Sequence, residues 1–183
     1  MQEVIVTRGG NNVNHDYDEP MFVDVVSCEK DCTEDQVEAE IRMLCLEQPF
    51  AVLATQGEGQ PYASLISFAM SSDLKHLVFS TPSQTRKFDL ILKNKKVSIL
   101  VDNRSQQPES INLISGITIT GRARALTEPA EVEPWSEMLI KKHSYLHKFV
   151  KSPSSSLILV DTIRFFYVRR FQDVYQWIPK GLS

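Results

Sequence analysis

Between Phe50 and Ala125 the chain is a succession of short, β-rich apolar runs cut by turn clusters, and this pattern restricts it to a mainly β fold. Phe50-Ala51-Val52-Leu53-Ala54-Thr55 reads as a strand, and Pro61 to Met70 as its return. Between them Gln56-Gly57-Glu58-Gly59-Gln60 is a hairpin turn in which glycine permits positive φ. A turn at Ser71-Ser72-Asp73 leads to a third strand, His76 to Thr81. Val97 to Val101 is a fourth, and Leu113 to Ala125 a long fifth in which Gly116 and Gly121 mark bulges or close approaches. Leu157 to Val160, Ile163 to Arg169 and Val174 to Ile178 complete the sheet. Strands joined by hairpins, with helices inserted between some of them, imply a closed antiparallel sheet, since closure removes exposed edges. Strand-helix-strand alternation and a GxGxxG fingerprint, the marks of a dinucleotide-binding α/β fold, are missing.

Three helices are expected among these strands. Thr33-x-x-Gln36 is a capping-box pattern, after which Val37, Ile41, Leu44 and Cys45 form one apolar stripe that Pro49 ends. Pro82-Ser83-Gln84-Thr85 opens a second helix that runs to about Lys93, with Phe88, Ile91 and Leu92 as its buried face. Thr127 is the candidate cap of a third, which carries Pro129 in its first turn and continues past Pro134 to Val150. Residues 1–32 read as an N-terminal extension in which Met21 to Ser27 can add a short strand, and residues 33–183 as one domain.

A net charge of -3 argues against a chain built to bind nucleic acid or acidic membranes. No apolar run approaches a membrane span, and Met1 to Asn14 lacks the apolar core of a secretory leader. Cys28, Cys32 and Cys45 have no second ligand pair at zinc spacing, so the expectation is reduced thiols in the cytoplasm and no metal site.

The segment that points to chemistry is Phe79-Ser80-Thr81-Pro82-Ser83-Gln84-Thr85-Arg86-Lys87. A strand ends in two hydroxyl residues, a helix begins, and two cations lie in its first turn. Bare N–H groups and the positive end of a helix dipole favour an anion, and cations there are misplaced unless an anion is present. Arg86 can grip phosphate oxygens bidentately, Lys87 adds a point charge, and Ser80, Thr81 and Thr85 can donate from their hydroxyls. A solvated basic helix start explains the same residues without a ligand.

The order Ala54-Thr55, Gly59-Gln60-Pro61-Tyr62, Leu77 to Thr81, Thr85-Arg86-Lys87, Asn94-x-x-Val97-Ser98-Ile99-Leu100 and Gly121-Arg122-Ala123 resembles the pyridoxamine 5'-phosphate oxidase-like, FMN-binding split-barrel family. The resemblance covers about residues 36 to 126 and extends more loosely to Phe165-Phe166-Tyr167 and Val174 to Trp177. It implies a split β-barrel of Greek-key connectivity, a homodimer, and FMN at the subunit interface. By it Ser64, Leu65, Ile66 and Ser67 pass along the flavin and offer backbone groups to its ring. Ser80 and Thr81 meet the ribityl-phosphate region, and Thr85, Arg86 and Lys87 hold the phosphate. The oxidase itself has an arginine at the position of Ser64, a lysine at that of Ala69 and a glutamine at about Gly116, and its C-terminal Arg-x-His-Asp-Arg signature has no counterpart near Gln172 to Trp177. The departures point to a small FMN-dependent relative that takes another substrate and a nicotinamide-type or small organic electron donor. No catalytic side chain is assigned, because the flavin ring carries the chemistry.

Other candidates are weaker. His143 and His147, four apart on the expected third helix, share a face and can approach a haem, which some split-barrel relatives bind, but they sit in a lysine-rich, solvated stretch. Trp177 is either core or a neighbour of the partner's flavin, and Cys45 is helix packing. The alternative to an enzyme is a non-catalytic module that binds flavin or haem.

Overall fold

The hairpin that the glycines allow is where the barrel begins: Gly57 pairs with Gln60, and Gly59 takes a φ of 83°. The computed structural model describes residues 33–57, 59–106, 113–169 and 173–181. In chain order they form α1 (Glu34–Glu47), β1 (Phe50–Gly57), β2 (Gln60–Met70), β3 (His76–Pro82), α2 (Arg86–Lys93), β4 (Lys96–Asp102), β5 (Ser115–Ala125), α3 (Pro129–Lys142), α4 (His147–Val150), β6 (Ser155–Arg169) and β7 (Asp173–Trp177). The expected extension at 1–32, with its strand at Met21 to Ser27, lies outside the described residues.

Every ladder is antiparallel, in the order β3-β2-β1-β4-β5-β6-β7, and a β3–β6 ladder closes the first six strands into a barrel. The fold is a mainly β split barrel, as the strand pattern implies. The split has a definite place. β2 meets β3 only over Phe68–Met70, whereas it pairs with β1 back to Gln60. The Gln60–Ser67 part of β2 therefore has a ladder on one edge only. β6 compensates by pairing with β3 through its first half and with β7 through its second.

Alternation along the strands sends Leu53, Phe79, Ile99, Val101, Ile117, Ile119 and Phe165 inward, where each is fully buried. The capping box at Thr33 forms as expected, and Val37, Ile41, Leu44 and Cys45 all bury against the barrel. α1 packs on β2, β4, β5 and β7, and α2 on β1 and β5. A second cluster, Ala69, Val78, Leu126, Leu139, Leu157 and Leu159, lies beneath α3 on the outside of β2, β3 and β6.

Four expectations are corrected. The second helix begins at Arg86 rather than Pro82, because the Thr85 hydroxyl donates to the Pro82 carbonyl at 2.9 Å and closes a turn there. The third helix is capped at Glu128, not Thr127, and stops at Lys142. There Lys142 Nζ donates to the carbonyls of Cys45 and Gln48, at 2.7 and 2.8 Å, and His143 leaves helical geometry to reach the Phe68 carbonyl. The two glycines of β5 also differ. At Gly121 the register shifts and a Cβ would meet the Asp161 carbonyl oxygen at 2.6 Å, so only glycine fits. At Gly116 the register is unbroken and a Cβ would find ordinary contacts from 3.7 Å. The two runs expected at Leu157 to Val160 and Ile163 to Arg169 are one continuous β6.

Candidate functional site

Arg86 and Lys87 are the first two residues of α2, and both reach back to β2. The Arg86 guanidinium lies 5.2 Å from the centre of the Tyr62 ring, and Lys87 Nζ donates to the Leu65 carbonyl at 3.2 Å. Thr85, the residue before the helix, is extended and makes no side-chain capping bond, so the first-turn N–H groups keep their capacity for an anion. Thr81 and Thr85 join their hydroxyls at 3.0 Å on the same side. Lys87 is half-buried, and burial holds its ammonium below the usual lysine range.

The free edge of β2 adds backbone groups. In an antiparallel ladder the N–H and C=O of one residue point to the same side. The Leu65 carbonyl faces Lys87 across the free edge, so the Leu65 N–H faces that edge too, as do the backbone groups of Ala63 and Ser67 two residues away. Side chains alternate: Tyr62 and Ser64 share one face, while Leu65 and Ser67 lie on the other. Ser64 Oγ is buried and has no hydrogen-bond partner. A buried hydroxyl without a partner calls for one.

The site residues named from the sequence therefore divide. At the corner between β2 and α2, Arg86 and Lys87 reach β2 at the Tyr62 ring and the Leu65 carbonyl, Thr81 and Thr85 meet just before α2, and Ser64 lies in β2 between the two contacts, its side chain on the Tyr62 face and that of Leu65 on the other. Ile66 is core and its backbone groups face β1, so it offers the corner neither side chain nor backbone, and Ser67 lies on the barrel's outer face. Ser80 is on the face of β3 opposite Thr81, towards α3, with its hydroxyl on the Ser156 carbonyl at 3.4 Å. Tyr62 joins the corner through its ring beneath Arg86, and its place two residues before Ser64, on the same face of β2, is the signal for it in the sequence.

Beside this corner the outer face of β2, β1 and β4 is apolar and uncovered. Val52 pairs with Leu65 on one side and Leu100 on the other, and Phe50, Leu65 and Leu100 are exposed by 47%, 62% and 37%. A dimple of about 150 Å³ continues the face, lined by Leu100, Ile114, Gly116, Thr118 and Val168. A contiguous apolar face of this kind marks an interface or a ligand surface.

The histidine pair does not form a common face, since α3 stops at Lys142, His143 caps it outside helical geometry, and His147 opens the separate α4. His143 is buried, its Nε2 donating to the Phe68 carbonyl at 2.9 Å and its Nδ1 accepting from the Tyr145 hydroxyl at 3.2 Å. Burial pushes its imidazole below the ordinary value of 6.5, Lys142 adds to the fall, and the Phe68 carbonyl opposes it. The unfolded chain thus holds more protons than the folded one over the interval just below 6.5. Stability should be complete above that value and fall as pH drops through it towards the folded-state value. Urea unfolding between about pH 5 and 8 should show this slope in the parent and a flatter curve in His143→Asn; equal slopes reject the assignment.

Trp177 is 3% exposed and packs edge-on against Phe165 at 5.4 Å, a core position. Cys45 is buried, and burial pushes its thiol up to about 12, which leaves it inert. Among the described residues no group of three or more His, Cys, Asp or Glu side chains is placed to hold a metal ion, and no helix is long and apolar enough to cross a membrane.

A family model described as pyridoxamine 5'-phosphate oxidase matches residues 36–169. No curated protein sequence matches. Among solved structures, a protein related to general stress protein 26 from Clostridium acetobutylicum, assigned to the pyridoxinephosphate oxidase family, is 19% identical with a TM-score of 0.63, over 83% of this chain and 100% of that one. An FAD-binding protein from Mesorhizobium loti is 17% identical with a TM-score of 0.58, over 70% and 91%. A heme-binding protein from Mycobacterium smegmatis is 14% identical with a TM-score of 0.68, and the match spans 78% of this chain but 58% of that protein's length. The likenesses are those of fold.

Proposed function

The chain belongs to the pyridoxamine 5'-phosphate oxidase family, and from that premise we propose that it is a cytoplasmic, homodimeric FMN-dependent oxidoreductase whose substrate is not pyridoxamine phosphate. The single observation that carries the reading is the corner where Arg86 and Lys87, at the uncapped start of α2, face the free edge of β2. A phosphate monoester carries about −1.5 to −2 charges near neutral pH, which two cations match. The partnerless Ser64 Oγ fits the same ligand. In this reading Arg86, Lys87, Thr85 and Ser64 hold the phosphate, the Thr85 hydroxyl turning from the Pro82 carbonyl to do so, and the edge N–H of Leu65 and the N–H and C=O of Ser67 offer donors and an acceptor to a flat, amide-edged ring.

Bound flavin supplies hydride or electron transfer between a nicotinamide-type or small organic donor and an acceptor. The protein's part is position and shielding. In a single chain the ring edge along Leu65 opens on to the exposed apolar face, and a second copy laid on that face would exclude water from it. Known relatives bind FAD or heme, but here the ring nitrogens of His143 are both bonded within the protein, which favours flavin over a haem held by that residue.

The purified protein should take up FMN to about one per chain, turn yellow, and elute as a dimer; the loaded protein should then oxidise NADH or NADPH. A protein that stays colourless in excess FMN, or that takes up haem and no flavin, overturns the assignment.

A further inference from the structure

We propose that Tyr62 is a positioning residue that makes this site prefer phosphorylated over unphosphorylated flavin, by holding the Arg86 guanidinium on its ring beside Lys87. The proposal rests on the flavin reading above.

Arg86 is exposed, and an unrestrained arginine there would sample many rotamers. Its contact among the described residues is the face of Tyr62, at 5.2 Å. The contact holds the cation over the ring face without a carboxylate partner, so N–H donors stay available to an anion. A carboxylate partner would have occupied those donors. Tyr62 is itself well held, because it sits in the β1–β2 ladder opposite Thr55, and the buried Thr55 hydroxyl donates to the Tyr62 carbonyl at 3.3 Å. On the same face of β2 comes Ser64 with its buried, partnerless hydroxyl. The next residue, Leu65, holds Lys87 through its carbonyl. Both cations thus reach β2 within four residues of one another, at Tyr62 and at Leu65, with the Ser64 hydroxyl between those two positions in the strand. Unphosphorylated flavin has nothing to offer them, so the contribution of Tyr62 should appear in FMN affinity and not in riboflavin affinity.

The test titrates the full-length protein with FMN and with riboflavin, for the parent, Tyr62→Phe, Tyr62→Leu, Arg86→Leu and the Tyr62→Leu, Arg86→Leu pair. Tyr62→Leu should raise the FMN dissociation constant about fivefold, leave riboflavin unchanged, and have no further effect once Arg86 is leucine. Tyr62→Phe should keep the parent's preference, since the ring face is retained. Equal weakening of both flavins, or a Tyr62→Leu effect that persists without Arg86, shows that Tyr62 merely packs, and overturns the proposal. A parent protein that binds neither flavin is a different failure, that of the flavin reading itself, and it removes this proposal too.

Discussion

Arg86→Ala combined with Lys87→Ala should weaken FMN binding by about 2–5 kcal/mol, roughly 30-fold or more, while riboflavin affinity stays near the parent's. The two cations contribute by different routes. Arg86 is exposed and pre-aimed by Tyr62, so its worth lies in paired N–H donors to phosphate oxygens. Lys87 is half-buried on the Leu65 carbonyl, and burial already disfavours its charge. A phosphate beside it relieves that penalty, which makes the ammonium a stronger contributor than a solvated lysine. The double variant should fold normally, because neither side chain belongs to the barrel core. Titration calorimetry reads the affinity and thermal unfolding checks the fold. An unchanged FMN dissociation constant in a folded protein rejects the phosphate assignment.

Local signals were legible in the sequence and distant ones were not. The cap at Thr33 and Gln36, the stripe Val37-Ile41-Leu44-Cys45 and the glycine hairpin each involve residues within a few positions of one another, and each forms as read. The end of α3 is set by Lys142 reaching carbonyls of α1 and by His143 reaching Phe68, and no neighbouring residue announces contacts of that range. Gly116 and Gly121 look alike in sequence, and the Asp161 carbonyl alone separates them. Ser80 is a different matter. Leu77, Phe79 and Thr81 alternate with Val78 and Ser80, so the pleat places Ser80 and Thr81 on opposite faces, and only one of the two side chains can face the corner. The same alternation pairs Tyr62 with Ser64. Period-two reasoning, applied to polar residues as well as apolar ones, was enough to find both.

If the proposed dimer packs through the uncovered apolar face, Leu65→Asp combined with Leu100→Asp should leave a monomer and abolish FMN retention, although Arg86 and Lys87 remain in place. Both leucines project from the outer face of the barrel and flank Val52, at the centre of the uncovered apolar area. In a single chain they are exposed by 62% and 37%, so a charge at either position stays in water and the fold should change by no more than about 0.5 kcal/mol per site. In a dimer packed through this face, four carboxylates would be buried without partners, a penalty of several kcal/mol that association cannot repay. Sedimentation velocity separates the two states, and an FMN titration of the same sample reads the site. The two measurements test separate links. A variant that remains dimeric shows that the subunits meet elsewhere. A monomer that binds FMN as tightly as the parent shows that one chain completes the site. Loss of both together, repeated in Leu100→Asp alone, whose charge lies across Val52 from the Lys87 corner, means that the exposed Leu65 edge needs a second chain above it.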